Sequence, residues 1–174
     1  GQFAATDFSV WQEQLEVMLV NTARLSHAAL RGMTARGHGA LVNISSIAAE
    51  FPLPFQSAYN IAKSGLSALN ESLMIETAGT GVVIIDFRPG DYRTDFEGSV
   101  QRPPGETTPR MASTWNAFVK MMESGPAPAH AADSLRRALL KNRSATVRTG
   151  RFFQAVLAPF LADRKSTRLN SSHV

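Results

Sequence analysis

Residues 43–63, NISSIAAEFPLPFQSAYNIAK, hold a serine hydroxyl, a tyrosine phenol and a lysine amine in one short stretch. Tyr59 and Lys63 are four residues apart in a segment with a helical pattern, so we expect both side chains on one helix face, about 5–6 Å apart at Cβ. A phenol with a pKa of about 10 is a poor base at neutral pH, but a neighbouring cation favours the phenolate. The spacing therefore predicts that Lys63 lowers the pKa of Tyr59 and makes its phenol a usable acid or base.

The segment before this pair reads as a strand. Residues 40–44 form an apolar run that fits a parallel strand covered on both faces. Ser46 follows this run and precedes Tyr59 by thirteen residues. We expect its hydroxyl to meet the phenol where the strand gives way to a loop. That loop, residues 47–56, contains two phenylalanines and two prolines and is predicted to line a substrate pocket.

The serine followed by Tyr59-Asn-Ile-Ala-Lys63 resembles the short-chain dehydrogenase/reductase family. The resemblance implies that Tyr59 donates or accepts the proton and that Ser46 orients the substrate oxygen. It also implies that Lys63 lowers the tyrosine pKa and binds the nicotinamide ribose. Asn21, in a Val-Asn pair on the first predicted helix, matches the family's catalytic asparagine, which implies that it holds a water molecule beside the lysine.

A second segment resembles the same family after the next apolar strand, residues 82–87. Residues 89–94, Pro-Gly-Asp-Tyr-Arg-Thr, match the family's Pro-Gly-x-Val-x-Thr pattern, except that Tyr92 replaces a small aliphatic residue. In the family, the backbone and the threonine hydroxyl of this segment hold the nicotinamide carboxamide. The resemblance implies that the residues contacting an NAD or NADP cofactor are Ile44, Tyr59, Lys63, Pro89, Gly90, Asp91, Tyr92 and Thr94.

Composition sets bounds on the class of protein. With 174 residues, 44% of them hydrophobic, the chain is long enough for one domain with its own core. The net charge of +4 falls to +1 without residues 164–174, because three of the 18 basic residues and none of the 14 acidic ones lie there. That balance supplies no basic face, so we expect no nucleic-acid partner. Neither an apolar run of about 18 residues nor a leader is visible, so we expect a cytoplasmic protein with no membrane partner.

Periodicity and turn residues predict the other elements. A buried stripe predicts a first helix of about twenty residues, which Thr6 or Asp7 caps and which contacts the core or another subunit. The stripe consists of Trp11, Leu15, Met18, Thr22, Leu25 and Ala29. The remaining elements are a helix over 57–78, a mobile loop over 98–110, helices over 111–123 and 133–141, a strand over 145–149 and an apolar segment over 152–161. In the family, the first helix and the helix over 57–78 form the dimer contact.

The order of strands and helices predicts an α/β fold, a partial Rossmann-type doubly wound parallel sheet. Such a fold holds a dinucleotide at a glycine-rich turn after its first strand, and this sequence contains no such turn. We therefore expect that the N-terminal βα units of the family are absent and that residues 1–163 are the C-terminal part of a single domain. We also expect this fragment to be inactive alone. Residues 164–174, RKSTRLNSSHV, are expected to be a non-native or disordered tail.

These observations favour an oxidoreductase that transfers a hydride between NAD or NADP and a carbonyl or alcohol substrate. The expected partners are that small molecule and further copies of the chain, in a homodimer or homotetramer. The chain has no cysteine and no histidines at ligand spacing, so no metal site is predicted.

Two alternatives stay open. A noncatalytic interaction protein on the same scaffold would keep the helical dimer face but need no phenolate, and the intact Ser46, Tyr59 and Lys63 argue against it. A nucleotide-sugar epimerase or dehydratase of the same superfamily would need a sugar-nucleotide domain. The chain after Thr94 leaves little room for such a domain.

Overall fold

Three parallel strands form the sheet in the computed structural model, which describes residues 1–95, 98 and 107–151. The strands are β1 (Gly39–Ile44), β2 (Val82–Pro89) and β3 (Ala145–Thr149), in the order β1-β2-β3. Ile44 lies opposite Phe87, and Pro89 lies opposite Thr149. The carboxyl ends of all three strands therefore meet at one edge of the sheet. The predicted α/β fold with a parallel sheet is confirmed.

The first helical segment is longer than predicted and changes pitch near its middle. α1 (Phe8–Leu15) continues through a π-helical turn, Glu16–Val20, into α2 (Asn21–Arg36). Asp7 caps the segment, as predicted, because its Oδ1 accepts a 2.8 Å hydrogen bond from the backbone N–H of Ser9. Helical structure thus extends without a break from residue 8 to residue 36.

The π turn changes which face of α2 is buried. A π turn takes up about one residue more than an α turn, so it shifts a buried stripe by one position. Leu25, which periodicity placed in the stripe, is 73% exposed, whereas Ser26 is buried. Further along, Leu30 and Met33 pack against the sheet. The predicted stripe is therefore wrong at Leu25.

Three further helices are described. They are α3 (Ser57–Glu76), α4 (Pro109–Glu123) and α5 (Pro128–Leu140). The helix predicted from residue 133 begins five residues earlier, because proline suits the first helical turn, where no backbone N–H is needed. The predicted segment 152–161, the tail 164–174 and most of the predicted loop 98–110 lie outside the described residues.

Alternate residues of β2 pack into two different layers. On one face of the sheet, α5 covers Val83, Ile85 and Phe87. On the other face, α2 and α3 cover Val82 and Ile84. Helices on both faces are the doubly wound arrangement. None of the helices in the described part of the chain combines the length and the apolar character of a membrane span.

Candidate active site

Tyr59 and Lys63 are neighbours on α3, as their spacing predicts. The Lys63 ammonium nitrogen lies 5.7 Å from the centroid of the Tyr59 ring. The same ammonium donates a 2.8 Å hydrogen bond to the carbonyl oxygen of Ile44, the last residue of β1. Lys63 therefore bridges the helix and the carboxyl end of the strand, and Ile44 holds the lysine through its backbone.

Ser46 lies directly beside this pair. It follows β1 and is buried, and its hydroxyl is near enough to the phenol of Tyr59 to lower the pKa of that phenol. Its Oγ also accepts a 3.0 Å hydrogen bond from the backbone N–H of Ala48, which caps the short 3-10 helix Ile47–Ala49. The structure thus brings together the three side chains that the sequence singled out.

The pKa of Tyr59 shifts in the direction opposite to our prediction. Burial raises the pKa of this phenol above its ordinary value of 10.0, and the hydrogen bond from Ser46 offsets this only in part. The Asp91 carboxylate raises the Tyr59 pKa further. Burial also lowers the pKa of Lys63. The predicted lowering of the Tyr59 pKa is therefore wrong for this structure, because loss of hydration on burial is the largest influence on this phenol.

Asn21 is the first residue of α2, immediately after the π turn. Its side-chain oxygen accepts a 2.9 Å hydrogen bond from Arg24, which also pairs with Glu16 at 2.6 Å. The π turn packs on α3 so closely that a Cβ at Gly65 would lie 3.0 Å from Leu19. Such turns are frequent at functional sites. Asn21 therefore follows the π turn, which contacts α3 at Gly65, two residues after Lys63. Its role as a water-holding residue stays a prediction.

The loop after β2, residues 89–94, is fixed to β3 and to the segment before α5. The backbone N–H of Gly90 donates to the carbonyl of Thr149 at 2.7 Å, and that of Arg93 donates to Pro126 at 3.0 Å. A Cβ at Gly125 would lie only 2.7 Å from the carbonyl oxygen of Asp91, so this contact requires glycine. Because the loop begins where β2 ends, it lies at the same sheet edge as Ser46.

Tyr92 turns its side chain into the protein. It is 5% exposed, and its phenol oxygen lies 2.6 Å from the hydroxyl of Thr149 and 2.9 Å from Nδ1 of His130. This explains why a tyrosine can stand where the family carries a small aliphatic residue, since the phenol finds two polar partners. Any contact of Tyr92 with a cofactor would fall to its backbone.

Sequence reasoning missed a buried polar network beneath the site. Asp86 and Arg88, on β2, are 0% and 4% exposed. They contact side chains of α3 and of the loop after β1, among them Ser45, Glu50, Ser67, Asn70 and Glu71. The signal was present in the sequence: charged residues at alternate positions of an otherwise apolar strand are rare unless they are paired.

Known proteins resemble this chain in sequence and in fold. The short chain dehydrogenase family matches residues 1–104. Dehydrogenase/reductase SDR family member 4 of Bos taurus is 37% identical over 95 residues, which are 55% of this chain and 34% of that protein. A short-chain dehydrogenase structure from Streptomyces avermitilis has a TM-score of 0.81 at 27% identity and covers 98% of this chain and 64% of that one. A Burkholderia cenocepacia short chain dehydrogenase in complex with NADP shares the fold, with a TM-score of 0.67 at 21% identity, over 97% of this chain and 61% of that one.

The fold and the site define a Rossmann-type α/β protein with a serine, a tyrosine and a lysine at the carboxyl edge of its sheet. The chain belongs to the short chain dehydrogenase family. It spans about a third of the length of the curated relatives it matches.

Proposed function

We propose that this chain carries the catalytic residues of an oxidoreductase that transfers a hydride between NAD or NADP and a carbonyl or alcohol, with Tyr59 as acid and base. The observation that carries the proposal is the convergence of two elements on one phenol. The Ser46 hydroxyl lowers the pKa of the phenol, and the Lys63 ammonium lies 5.7 Å from the centre of its ring. Family membership supports the oxidoreductase class.

The raised pKa keeps the Tyr59 phenol protonated at neutral pH, which is the state that donates a proton. In carbonyl reduction, the carbonyl carbon gains the hydride and its oxygen takes the phenol proton, so the product is an alcohol. The Ser46 hydroxyl orients that oxygen. In the reverse direction the phenolate accepts the alcohol proton, so oxidation requires Tyr59 to be deprotonated. Asn21 is proposed to hold a water molecule beside Lys63.

The residues at this edge fit the nicotinamide end of a dinucleotide, which supplies or accepts the hydride. The Lys63 ammonium has two N–H donors beyond the one bound to Ile44, and these suit ribose hydroxyls. Thr94 is exposed at the end of the loop and offers its hydroxyl to a carboxamide. Pro89 to Tyr92 would contribute backbone groups. The Burkholderia cenocepacia structure with NADP supports a nicotinamide cofactor, and no described residue selects between NAD and NADP.

The sequence has no glycine-rich turn to hold a pyrophosphate, so we infer that these 174 residues alone bind a dinucleotide weakly and do not turn over. We propose that residues 1–163 are part of a single domain. Homodimers are proposed to form through the helices of the first segment and α3. Large apolar side chains lie exposed on these helices at Phe8, Val17, Leu25, Ile61 and Ile75.

Transfer of isotope tests the reaction class. The protein encoded by the reading frame that contains this chain is incubated with aldehydes and ketones and with NADH or NADPH carrying deuterium at C4 of the nicotinamide. Mass spectrometry should find deuterium on the carbinol carbon of a product alcohol. If the label stays in the cofactor across the whole panel, as for a noncatalytic protein, the proposed function is wrong.

A further inference from the structure

Two buried charges on β2, Asp86 and Arg88, are unexplained by hydride transfer. Both face the side of the sheet that α3 covers, because residues two apart on a strand share a face. A buried charge is costly unless it is paired and hydrogen-bonded, so its partners show what it holds in place.

The Asp86 carboxylate is fully hydrogen-bonded. Its Oδ1 accepts from the hydroxyl of Ser45 and, at 3.0 Å, from the side-chain amide of Asn70. Its Oδ2 accepts from the hydroxyl of Ser67 at 2.8 Å and from Nε of Arg88 at 2.7 Å. Four donors fill the acceptor sites of an ionised carboxylate. The position of each partner is therefore fixed against a rigid strand.

The Arg88 guanidinium extends this arrangement to two glutamates. Its Nη1 donates to Glu50, and its Nη2 donates to Glu71 at 2.7 Å. Glu50 also accepts from Nε of Arg148 on β3 at 2.8 Å. The planar guanidinium has donors in a fixed fork, so its three carboxylate partners cannot move independently of one another.

The hydrogen-bond partners of Asp86 and Arg88 lie on both sides of the Ser46 hydroxyl. Ser45 and Glu50 flank Ser46 in the segment after β1. Ser67 lies four residues after Lys63, on the same face of α3. The network therefore joins the segment that carries Ser46 to the helix that carries Lys63 and Tyr59.

We propose that Asp86 and Arg88 are positioning residues, which hold residues 45–50 against α3 so that the Ser46 hydroxyl stays beside the phenol of Tyr59. Glu50 is the residue of this segment that pairs with the Arg88 guanidinium. Neither Asp86 nor Arg88 bonds to the phenol; they act through Glu50 and Ser45. The expected effect of Asp86 and Arg88 on turnover rests on the proposed function, but their expected effect on the pKa of the Tyr59 phenol does not.

The titration of the Tyr59 phenol measures its contact with Ser46. The chain has two tyrosines, so the difference in phenolate absorbance between a protein and its Tyr59→Phe counterpart isolates one of them. The charged groups that act on this phenol are Lys63 from its own helix and Asp91 from the loop after β2. The experiment leaves both of them in place.

Glu50→Gln and Glu71→Gln form a matched pair. Each substitution removes one of the carboxylate charges that pair with the Arg88 guanidinium, but only Glu50 lies on the loop that carries Ser46. Loss of a negative charge alone lowers the pKa of a phenol, whereas loss of the neighbouring Ser46 hydroxyl raises the pKa of Tyr59. The two explanations therefore predict opposite signs.

We expect Glu50→Gln to raise the Tyr59 pKa by at least about half of the shift produced by Ser46→Ala, and Glu71→Gln to leave it unchanged or slightly lower. Arg88→Lys, which keeps the charge but loses the fork, should also raise it and provides a second variant. Equal shifts for the two glutamine variants, or a lowered pKa in Glu50→Gln, would overturn the proposal.

Turnover then separates this proposal from the proposed function. In a protein that shows isotope transfer, Glu50→Gln should lower kcat about 10-fold with little change in the KM for the cofactor. If no isotope transfer is found but the phenol titration moves as expected, hydride transfer is wrong and the positioning role stands. If transfer is found and Glu50→Gln changes neither kcat nor the titration, the positioning role is wrong.

Discussion

The two tyrosines of this chain occupy surroundings that differ in kind. Burial raises the pKa of both phenols, and a hydroxyl partly offsets this rise in each: that of Ser46 for Tyr59, and that of Thr149, which lies 2.6 Å from the phenol oxygen, for Tyr92. Tyr59 also has the Lys63 ammonium 5.7 Å from its ring centre and lies at the edge where β1 ends. The second partner of Tyr92 is an imidazole, in the layer between β3 and α5.

This difference separates a phenol suited to proton transfer from one that anchors a loop. The oxygen of Tyr92 is shared between Thr149 and His130, so its proton and one of its lone pairs are already used. Tyr59 has a hydroxyl partner that can itself bind a substrate oxygen, and a cation close by. Burial alone therefore does not distinguish the two phenols; the neighbouring charge and the position at the sheet edge are what favour Tyr59 for the proposed proton transfer.

Among the neighbours of the two phenols, the largest effect should come from removing the Lys63 charge. Lys63→Ala should lower turnover about 100-fold and weaken cofactor binding, because the proposed function has the ammonium act on both the phenol and the ribose. Lys63→Arg keeps a charge at this position and serves as the control. Steady-state kinetics with varied cofactor measures both parameters. A change in only one of them would show that the dual role is wrong.

The loop that Tyr92 anchors, residues 89–94, can be disturbed without removing a hydroxyl group. Gly125→Ala places a Cβ 2.7 Å from the carbonyl oxygen of Asp91 and 2.9 Å from Cα of Tyr92, so residues 89–94 must shift. We expect the free energy of unfolding to fall by about 1–3 kcal/mol and the KM for the cofactor to rise. Gly32→Ala, in the helix α2 with its nearest neighbour at 3.5 Å, is the matched control and should be neutral or stabilising. An unchanged melting curve for Gly125→Ala would contradict the close contact.

The hydroxyl partners of the two phenols should behave differently. Ser46→Ala should lower kcat about 10-fold while the free energy of unfolding changes by no more than about 1 kcal/mol. Thr149→Val should lower the free energy of unfolding by about 1 kcal/mol and affect kcat little. Thermal melts and initial rates on the same samples distinguish them. A large shift of the melt with an unchanged rate in Ser46→Ala would make Ser46 structural.

The smallest effect should appear in stability at alkaline pH. A phenol with a raised pKa in the folded state contributes stability that is present below about pH 10 and is lost as the pH rises through its folded value. Lys63, whose pKa is lowered by burial, acts in the opposite direction: the free energy of unfolding rises from its folded pKa up to 10.5. Urea unfolding should therefore show a shallower loss above pH 10 in Tyr59→Phe and in Tyr92→Phe. A slope unchanged in both variants would contradict the raised values.

The core of the site was predictable because it depends on short sequence spacings. An interval of four residues on a helix places Tyr59 beside Lys63, and parallel strands bring their carboxyl ends to one edge. Ser46 and residues 89–94 each follow a strand, so they had to lie at that edge. The same logic recovered all three described strands.

The other features of the site depend on properties that residue spacing does not predict. The π turn before Asn21 moves the buried face of α2 by one residue, and helical periodicity assumes a constant pitch. The pKa of Tyr59 depends on burial, which the sequence does not quantify, and on Asp91, which is distant along the chain. Asp86 and Arg88 were missed because the strand pattern was read for its apolar residues alone.

A comparison of Tyr59→Phe with Tyr92→Phe tests the central claim most directly. Each substitution removes one buried phenol oxygen and keeps the ring, and kcat for hydride transfer is measured beside the Kd for the cofactor. We predict that Tyr59→Phe lowers kcat about 100-fold or more with cofactor binding largely kept, because the proton-transferring oxygen is lost. Tyr92→Phe should change stability and cofactor affinity far more than kcat. A Tyr59→Phe protein with near-normal kcat would contradict the assignment of Tyr59 as the acid and base.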